Sequence, residues 1–403
     1  MPWPQGPLGQ VPTPIAQTLG SETLAQLAEV TIPPRDRIDL AQRLLGLTEV
    51  PQPPTTPPPE LDLGAVVTFW ADNLDQDDAF QIDAKLVYKT PHIYMFVEVG
   101  QAVDLAAVKR SADAFEQVIR PRGHQVFGTE WTPGIDGDPH LGILHASGLG
   151  NWVAAYYGSN SAYPAAAVAN SNECEMFYVN LDTMGGAIGT WYYEGVLAHE
   201  FQHMVHWHVD PNEDAWLNEG LSELSALITG YGASNFAAPF LNAPDIQLNT
   251  WPEEDNRGLH YGAAFLFAAY FYERYGEAAT TTLVSDPKNG LDSVDNALTA
   301  IAAADPATGE PVAAVDLFEE RRIVQAEELR DLATCGVCVM PDPLDVRPLA
   351  RRDQMRNADL LQHRKPAHQP AIGGHLQSEA SRLPPSKLRA RPPFLRPPHP
   401  CPS

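Results

Sequence analysis

The chain has 403 residues, with 26 Lys/Arg against 51 Asp/Glu and a formal charge of −25; that length suits two or three average domains, or one large domain with appendages. Apolar residues at 44 % and aromatics at 9 % supply a substantial core, which excludes wholesale disorder. Residues 341–403 hold 11 Lys/Arg against 5 Asp/Glu, or +6, leaving 15 against 46, or −31, for the first 340; so acidic a body repels phosphate backbones and anionic headgroups, and no nucleic-acid partner is expected.

The opening "MPWPQGPLGQVPTPIAQTLG" has neither the charged start nor the apolar centre of a secretory signal, the first positive charge being Arg35. Residues Glu22–Leu47 show helical periodicity broken at "IPPRDR", and "PQPPTTPPPE" (Pro51–Glu60) reads as an extended, semi-rigid linker. Residues 1–60 are therefore expected to be a helical and Pro-rich segment, a propeptide or spacer, ahead of a main domain over 61–335.

Within that domain "AVVTFWADN" and "FQIDAKLVYKTPHIYMFVEVG" are β-rich. The stretch "DLAAVKRSADAFEQVIRPRGHQVFG" predicts an amphipathic helix with Leu105, Val108, Ala112, Phe115 and Ile119 on one stripe. "GIDGDPH" (Gly134–His140) offers calcium-like oxygens without the EF-hand spacing, and is a candidate for a structural Ca2+. "HLGILHASGLG", "WVAAYYGSN" and "CEMFYVNLD" (Cys174–Asp182) read as strands, and the last is a candidate cleft edge to which an extended peptide could add. Helices are predicted over Trp191–His208, Ala215–Thr229 and His260–Tyr275. Strands followed by helices make an α+β domain.

The most apolar run, "AAFLFAAYFY" (Ala263–Tyr272), falls short of the ~18–20 residues of a membrane span, so none is expected. Cys335 and Cys338 form a CxxC pair with no second pair nearby, read as incidental rather than as a zinc or redox motif. Residues 336–403 are Pro-rich and basic without apolar period, and read as a disordered tail.

Chemistry concentrates in "VLAHEFQHMVHWHVDPNEDAWLNEGLSEL" (Val196–Leu224). His199 and His203 are four apart, which on a helix turns them only ~40° and lets both imidazoles reach one ion. Glu200 lies on the neighbouring part of that face, where it can touch a metal-bound water without being a ligand. This is the HExxH spacing. With 13 His and 51 Asp/Glu in the chain, chance supplies only about 0.05 such matches. Val196, Leu197, Phe201 and Val205 mark the helix as buried, where two idle histidines would be costly. His206 lies ~10 Å further along the axis and cannot share the ion; His206 and His208 are read as surface residues or as groups supporting the ligands. A third ligand must follow, and Glu219 and Glu223, one turn apart, both qualify. The acid that does not bind the metal can accept a hydrogen bond from a ligand histidine.

HEFQH followed by WLNEG resembles the gluzincin zinc metallopeptidases, and WLNEG is most similar to the aminopeptidase-N-like branch. "HYGAAFLFAAYFYERYG" is similar to that branch's segment bearing a catalytic tyrosine, here Tyr261. The close spacing of the two motifs also resembles the secreted bacterial hyicolysin-like and immune-inhibitor-A-like peptidases. The resemblance covers Asn172–Gly276, and more loosely Leu61–Ser171. It implies a zincin-like fold, with a mixed sheet, a backing helix, the HExxH helix and a helical subdomain. It further implies one catalytic Zn2+ held by His199, His203 and Glu219, with Glu200 as general base and Tyr261, or in its place His260, as oxyanion donor. The 15 residues between His203 and Glu219 are fewer than the family usually shows; counting alone favours Glu223, whereas the "NE" context favours Glu219. The exopeptidase signature GAMEN is absent, so endopeptidase action on extended protein or peptide substrates is expected, in a secreted or cell-surface setting. Two rivals are a zincin-like domain that binds peptides or surfaces without catalysis, and a zinc hydrolase of a non-peptide substrate.

Overall fold

Alternation of apolar and polar residues turns residues 66–98 into a meander. In the computed structural model, which describes residues 36–252 and 256–317, β1 (Val66–Asn73), β2 (Asp78–Lys89) and β3 (Ile93–Glu98) pair antiparallel. On β2, Ile82, Ala84 and Leu86 are buried while the residues between them face out, as one buried face requires. From β3 onward the pattern changes: β3, β4 (Leu141–Ala146) and β6 (Met176–Asn180) are buried on both faces and run parallel. A short antiparallel strand, β5 (Ala155–Tyr157), closes a six-stranded mixed sheet of order β1-β2-β3-β4-β6-β5. The domain is thus α+β.

Before the sheet, a short helix α1 (Arg37–Leu40), capped by the Asp36 side chain, runs into a π turn at Ala41–Leu45. Residues 51–60 are exposed and irregular, but Glu60 pairs with Lys89 at 2.9 Å. The parallel crossover from β3 to β4 is α2 (Leu105–Ala114), a π turn (Phe115–Ile119) and α3 (Arg120–Phe127). Pro121 in α3's first turn lacks an N–H, which suits the irregular hydrogen bonding just ahead of it. Of the predicted stripe, Val108, Ala112, Phe115 and Ile119 are buried, but Leu105 is exposed. It sits in the first turn, immediately after the capping Asp104, where the chain is still leaving solvent.

After β6 come α4 (Leu181–Met184), α5 (Trp191–Val209), α6 (Ala215–Ile228), α7 (Ala237–Asn242), α8 (Arg257–Val284) and α9 (Leu291–Ala300). α8 is broken by Gly276, whose φ of 81° no helix contains, near the predicted end at Tyr275. The helix-side core joins Ile93, Met95, Ile143 and Phe177 of the sheet to α2, α5, α6 and α8. Phe115 stands edge-on to Phe201 of α5 at 5.1 Å, and Trp216 of α6 edge-on to Phe267 of α8 at 5.2 Å. Apolar on nearly every side, α5 is the buried centre of this layer. Polar ties fix its position: His145 of β4 donates Nδ1–H to the Phe96 carbonyl (2.7 Å), which leaves Nε2 to accept from Tyr193 (2.5 Å), while Ser111 of α2 reaches Glu194 (2.6 Å). No helix among the described residues is long and apolar enough to cross a membrane. Cys335, Cys338, the tail 336–403 and the first 35 residues lie outside the described residues.

Candidate metal centre

Thr190 caps α5 through its side chain and so sets the register that turns His199 and His203 toward α6. Their Nε2 atoms lie 3.0 Å apart, and Glu219 Oε2 of α6 lies 3.3 Å from the first and 3.4 Å from the second. Ligand atoms bound tetrahedrally at about 2.0–2.1 Å from zinc sit about 3.3–3.4 Å from one another, so the spacing fits one such ion. The outer nitrogens of both rings are engaged elsewhere. His199 Nδ1 meets Glu223 Oε1 at 3.2 Å; His203 Nδ1 meets Asn218 Oδ1 at 2.6 Å and Ser222 Oγ at 3.0 Å. Both Nδ1 atoms therefore donate, so in the neutral rings both Nε2 atoms present lone pairs, and Glu219 Oε2 is buried with no hydrogen-bond partner at close range. Three acceptors facing one another call for a cation.

The electrostatics agree. Burial works against charge at Glu219, yet His203 and His199 hold its carboxyl well below the usual range; burial also disfavours a charged His199, yet Glu219, Glu223 and Glu200 raise its pKa well above that of an ordinary imidazole. The cluster demands positive charge, which a proton or a metal ion can supply.

The two acids left open by spacing are separated by geometry: Glu219 faces both Nε2 atoms and Glu223 the back of His199. Glu200, 5 % exposed, has its pKa raised by burial, against the pull of His199 and His203. Tyr261 of α8 packs its ring 6.4 Å from that of His199, against Phe236 and Trp251. Burial and the carboxylates of Glu219, Glu200 and Glu223 raise its pKa well above the usual tyrosine value, so it stays a hydroxyl donor. His260 is buried edge-on to the same Trp251 at 6.2 Å and, unlike Tyr261, is not among the residues that line the cleft.

The cleft over these groups is walled by β5 and its approach, with Trp152 93 % exposed beside it and Trp191 at the start of α5. The strand expected at the cleft edge, Cys174–Asp182, is β6, whose two sides are taken by β4 and β5; the edge is β5. His206 is not a surface residue: it has no exposed area, and Asn218 Nδ2 lies 3.0 Å from its Nδ1. His208 is exposed, its Nδ1 2.7 Å from the Thr129 carbonyl.

Among the described residues two groups of three could hold a metal ion, His199–His203–Glu219 and His206–Asp210–Glu213. Neither includes the expected calcium loop, where the Asp138 oxygens already accept from the His140 backbone (3.0 Å) and Tyr94 (3.3 Å). Asn218, Ser222 and the edge role of β5 escaped the sequence reading. Asn218/Ser222 and Glu219/Glu223, polar pairs four apart on a helix that otherwise buries Trp216, Leu217, Leu221 and Leu224, were the available signal. Compared with protein-family models and with curated proteins, the chain matches none of either.

Proposed function

We propose that the chain is a zincin-like, zinc-dependent peptidase of gluzincin type, acting as an endopeptidase on extended protein or peptide segments in a secreted or cell-surface setting. The observation that carries the reading is the convergence of two histidine Nε2 atoms and Glu219 Oε2 at ligand spacing, with buried Glu200 on the same helix. A zinc ion held there would polarise a peptide carbonyl and acidify a water.

The remaining work belongs to side chains of this chain. Glu200, buried and with its proton affinity raised, takes a proton from the attacking water and returns it to the departing amine, a role worth typically ~10²–10⁴-fold. The Tyr261 hydroxyl, kept protonated by its surroundings, donates to the carbonyl oxygen as negative charge builds there. β5 has one ladder side unpaired among the described residues, so an extended peptide can add to it through main-chain hydrogen bonds, with little dependence on side chains.

The test is cleavage of an unfolded protein by the wild type and Glu200→Gln, with and without chelator. Wild type should cleave and lose activity to the chelator, while Glu200→Gln, still carrying zinc, should be slower by about 10²-fold or more. Equal rates with zinc bound would refute the role of Glu200. Zinc without any peptide cleavage would favour the binding or non-peptide readings.

A further inference from the structure

His206 reaches the metal cluster through a single amide. His203 Nδ1 lies 2.6 Å from Asn218 Oδ1, and Asn218 Nδ2 lies 3.0 Å from His206 Nδ1. Gln202 Nε2 approaches that same nitrogen at 3.4 Å. Two amide N–H groups aimed at one ring nitrogen require it to be bare. The ring has no exposed surface, and burial holds it neutral, its pKa depressed to about 3. Its proton therefore sits on Nε2.

The far side of the ring suits that proton. His206 Nε2 and Asp210 Oδ2 are both buried without a hydrogen-bond partner, one a donor and the other an acceptor. A ring nitrogen of His206 and carboxylate oxygens of Asp210 and Glu213 lie within 4.8 Å of one another. Glu213 is already occupied, accepting from Gly290 N at 2.7 Å and Ser293 Oγ at 3.0 Å. Asp210 Oδ2 is the acceptor of this group left without a partner.

We propose that His206 is a positioning residue of the metal centre: it selects the orientation of the Asn218 amide and, through it, the tautomer of His203. The proposal rests on the reading of His199, His203 and Glu219 as metal ligands. The two ends of an amide are nearly the same size, so shape alone does not orient it. In the reversed orientation Asn218 would present N–H groups to His203 Nδ1. That nitrogen would then have to be bare, and the proton would move to Nε2, the atom that faces His199 and Glu219 and can bind metal only when deprotonated. The bare Nδ1 of His206 opposes the reversal, because it would then meet a carbonyl lone pair. Ser222 Oγ, 3.0 Å from His203 Nδ1 and donating its own proton to Gln202, is a second acceptor for His203. Loss of His206 is therefore expected to weaken the site rather than abolish it. A cation on His206, Asp210 and Glu213 would need the opposite tautomer, with Nε2 bare.

The experiment measures Zn2+ affinity of the full chain by chelator competition. His206→Leu, which cannot accept from Asn218, should weaken zinc binding by about 10-fold. His206→Gln, whose side-chain oxygen can accept, should stay within about 3-fold of wild type by the same reasoning. In an Asn218→Asp background, where either carboxylate oxygen serves His203, adding His206→Leu should cost nothing further. Unchanged affinity in His206→Leu, or the same loss in both backgrounds, overturns the proposal. Should leucine prevent folding, ¹⁵N imidazole shifts of the zinc-loaded wild type decide: they should report a bare Nδ1 and a protonated Nε2 at His206. The reverse tautomer, or a second zinc equivalent that Asp210→Asn removes, overturns it. A wild type that takes up no zinc overturns the metal reading as well, whereas normal uptake with an indifferent His206→Leu overturns this one alone.

Discussion

Glu219 and Glu223 are the same residue type one helical turn apart, yet they meet His199 from opposite sides, one at Nε2 and the other at Nδ1. Glu219→Ala should therefore abolish stoichiometric zinc. Glu223→Ala should leave a site about 10–100-fold weaker, because it removes only the acceptor that holds His199's tautomer. Metal analysis after dialysis against graded chelator separates the two; equal losses would mean that both acids bind. Glu175 is buried near Asp136, and burial pushes the Glu175 pKa up to about 8. Its folded pKa lies above the unfolded value of 4.5, so the folded state holds the extra proton. The associated stability is fully present below pH 4.5 and is lost as pH rises through about 8. Glu175→Gln keeps an acceptor for the Ile135 N–H (3.1 Å) and carries no charge. Its melting temperature should exceed the wild type's at pH 8.5 and match it near pH 4.5, a differential of a few kcal/mol at most. A constant offset at all pH values would show that Glu175 ionises normally. Neither assignment could be read from spacing, because each depends on what faces the carboxylate from another element.

At the scale of elements, the site requires α6 to lie close against both α5 and α8. A Cβ added at Gly220 would come within 2.6 Å of the Ala264 carbonyl oxygen on α8. Gly220→Ala should thus push the helices apart and cost about 1–3 kcal/mol by denaturant unfolding. Because Glu219 is the adjacent residue, zinc affinity should fall with it; a stability loss at unchanged affinity would show that the two helices move as a unit. The helices were legible in the chain, since apolar period and the i, i+4 histidines are local features, and the predicted starts of α5 and α6 coincide with the observed ones. The cleft edge was not. β6 is the more strand-like segment, but the three-residue β5 takes the edge because β4 and β5 occupy both sides of β6, a pairing between segments far apart in sequence.

Over the whole molecule, a bound ion would join α5 to α6 and so connect the sheet-packed helix to the helical layer built on α8. Binding to the folded state alone stabilises by ~2.7 kcal/mol at a hundredfold excess over Kd, so chelation should lower the melting temperature by several degrees and restored zinc should recover it. Glu200→Gln, which keeps all three donors, should show the same shift. A melting point indifferent to chelator would mean that no ion bridges these helices.

By itself the chain determined the order of strands and helices and the pairing of His199 with His203, because hydrophobic period and helical pitch act over a few residues. Sequence context favoured Glu219 over Glu223 while spacing did not, and the structure groups Glu219 with the two histidines. Tertiary structure alone decided that β5 edges the cleft and that His206 is buried against Asn218 rather than exposed. Each of those depends on how one element crosses another, and contacts across such crossings leave no periodicity in the sequence.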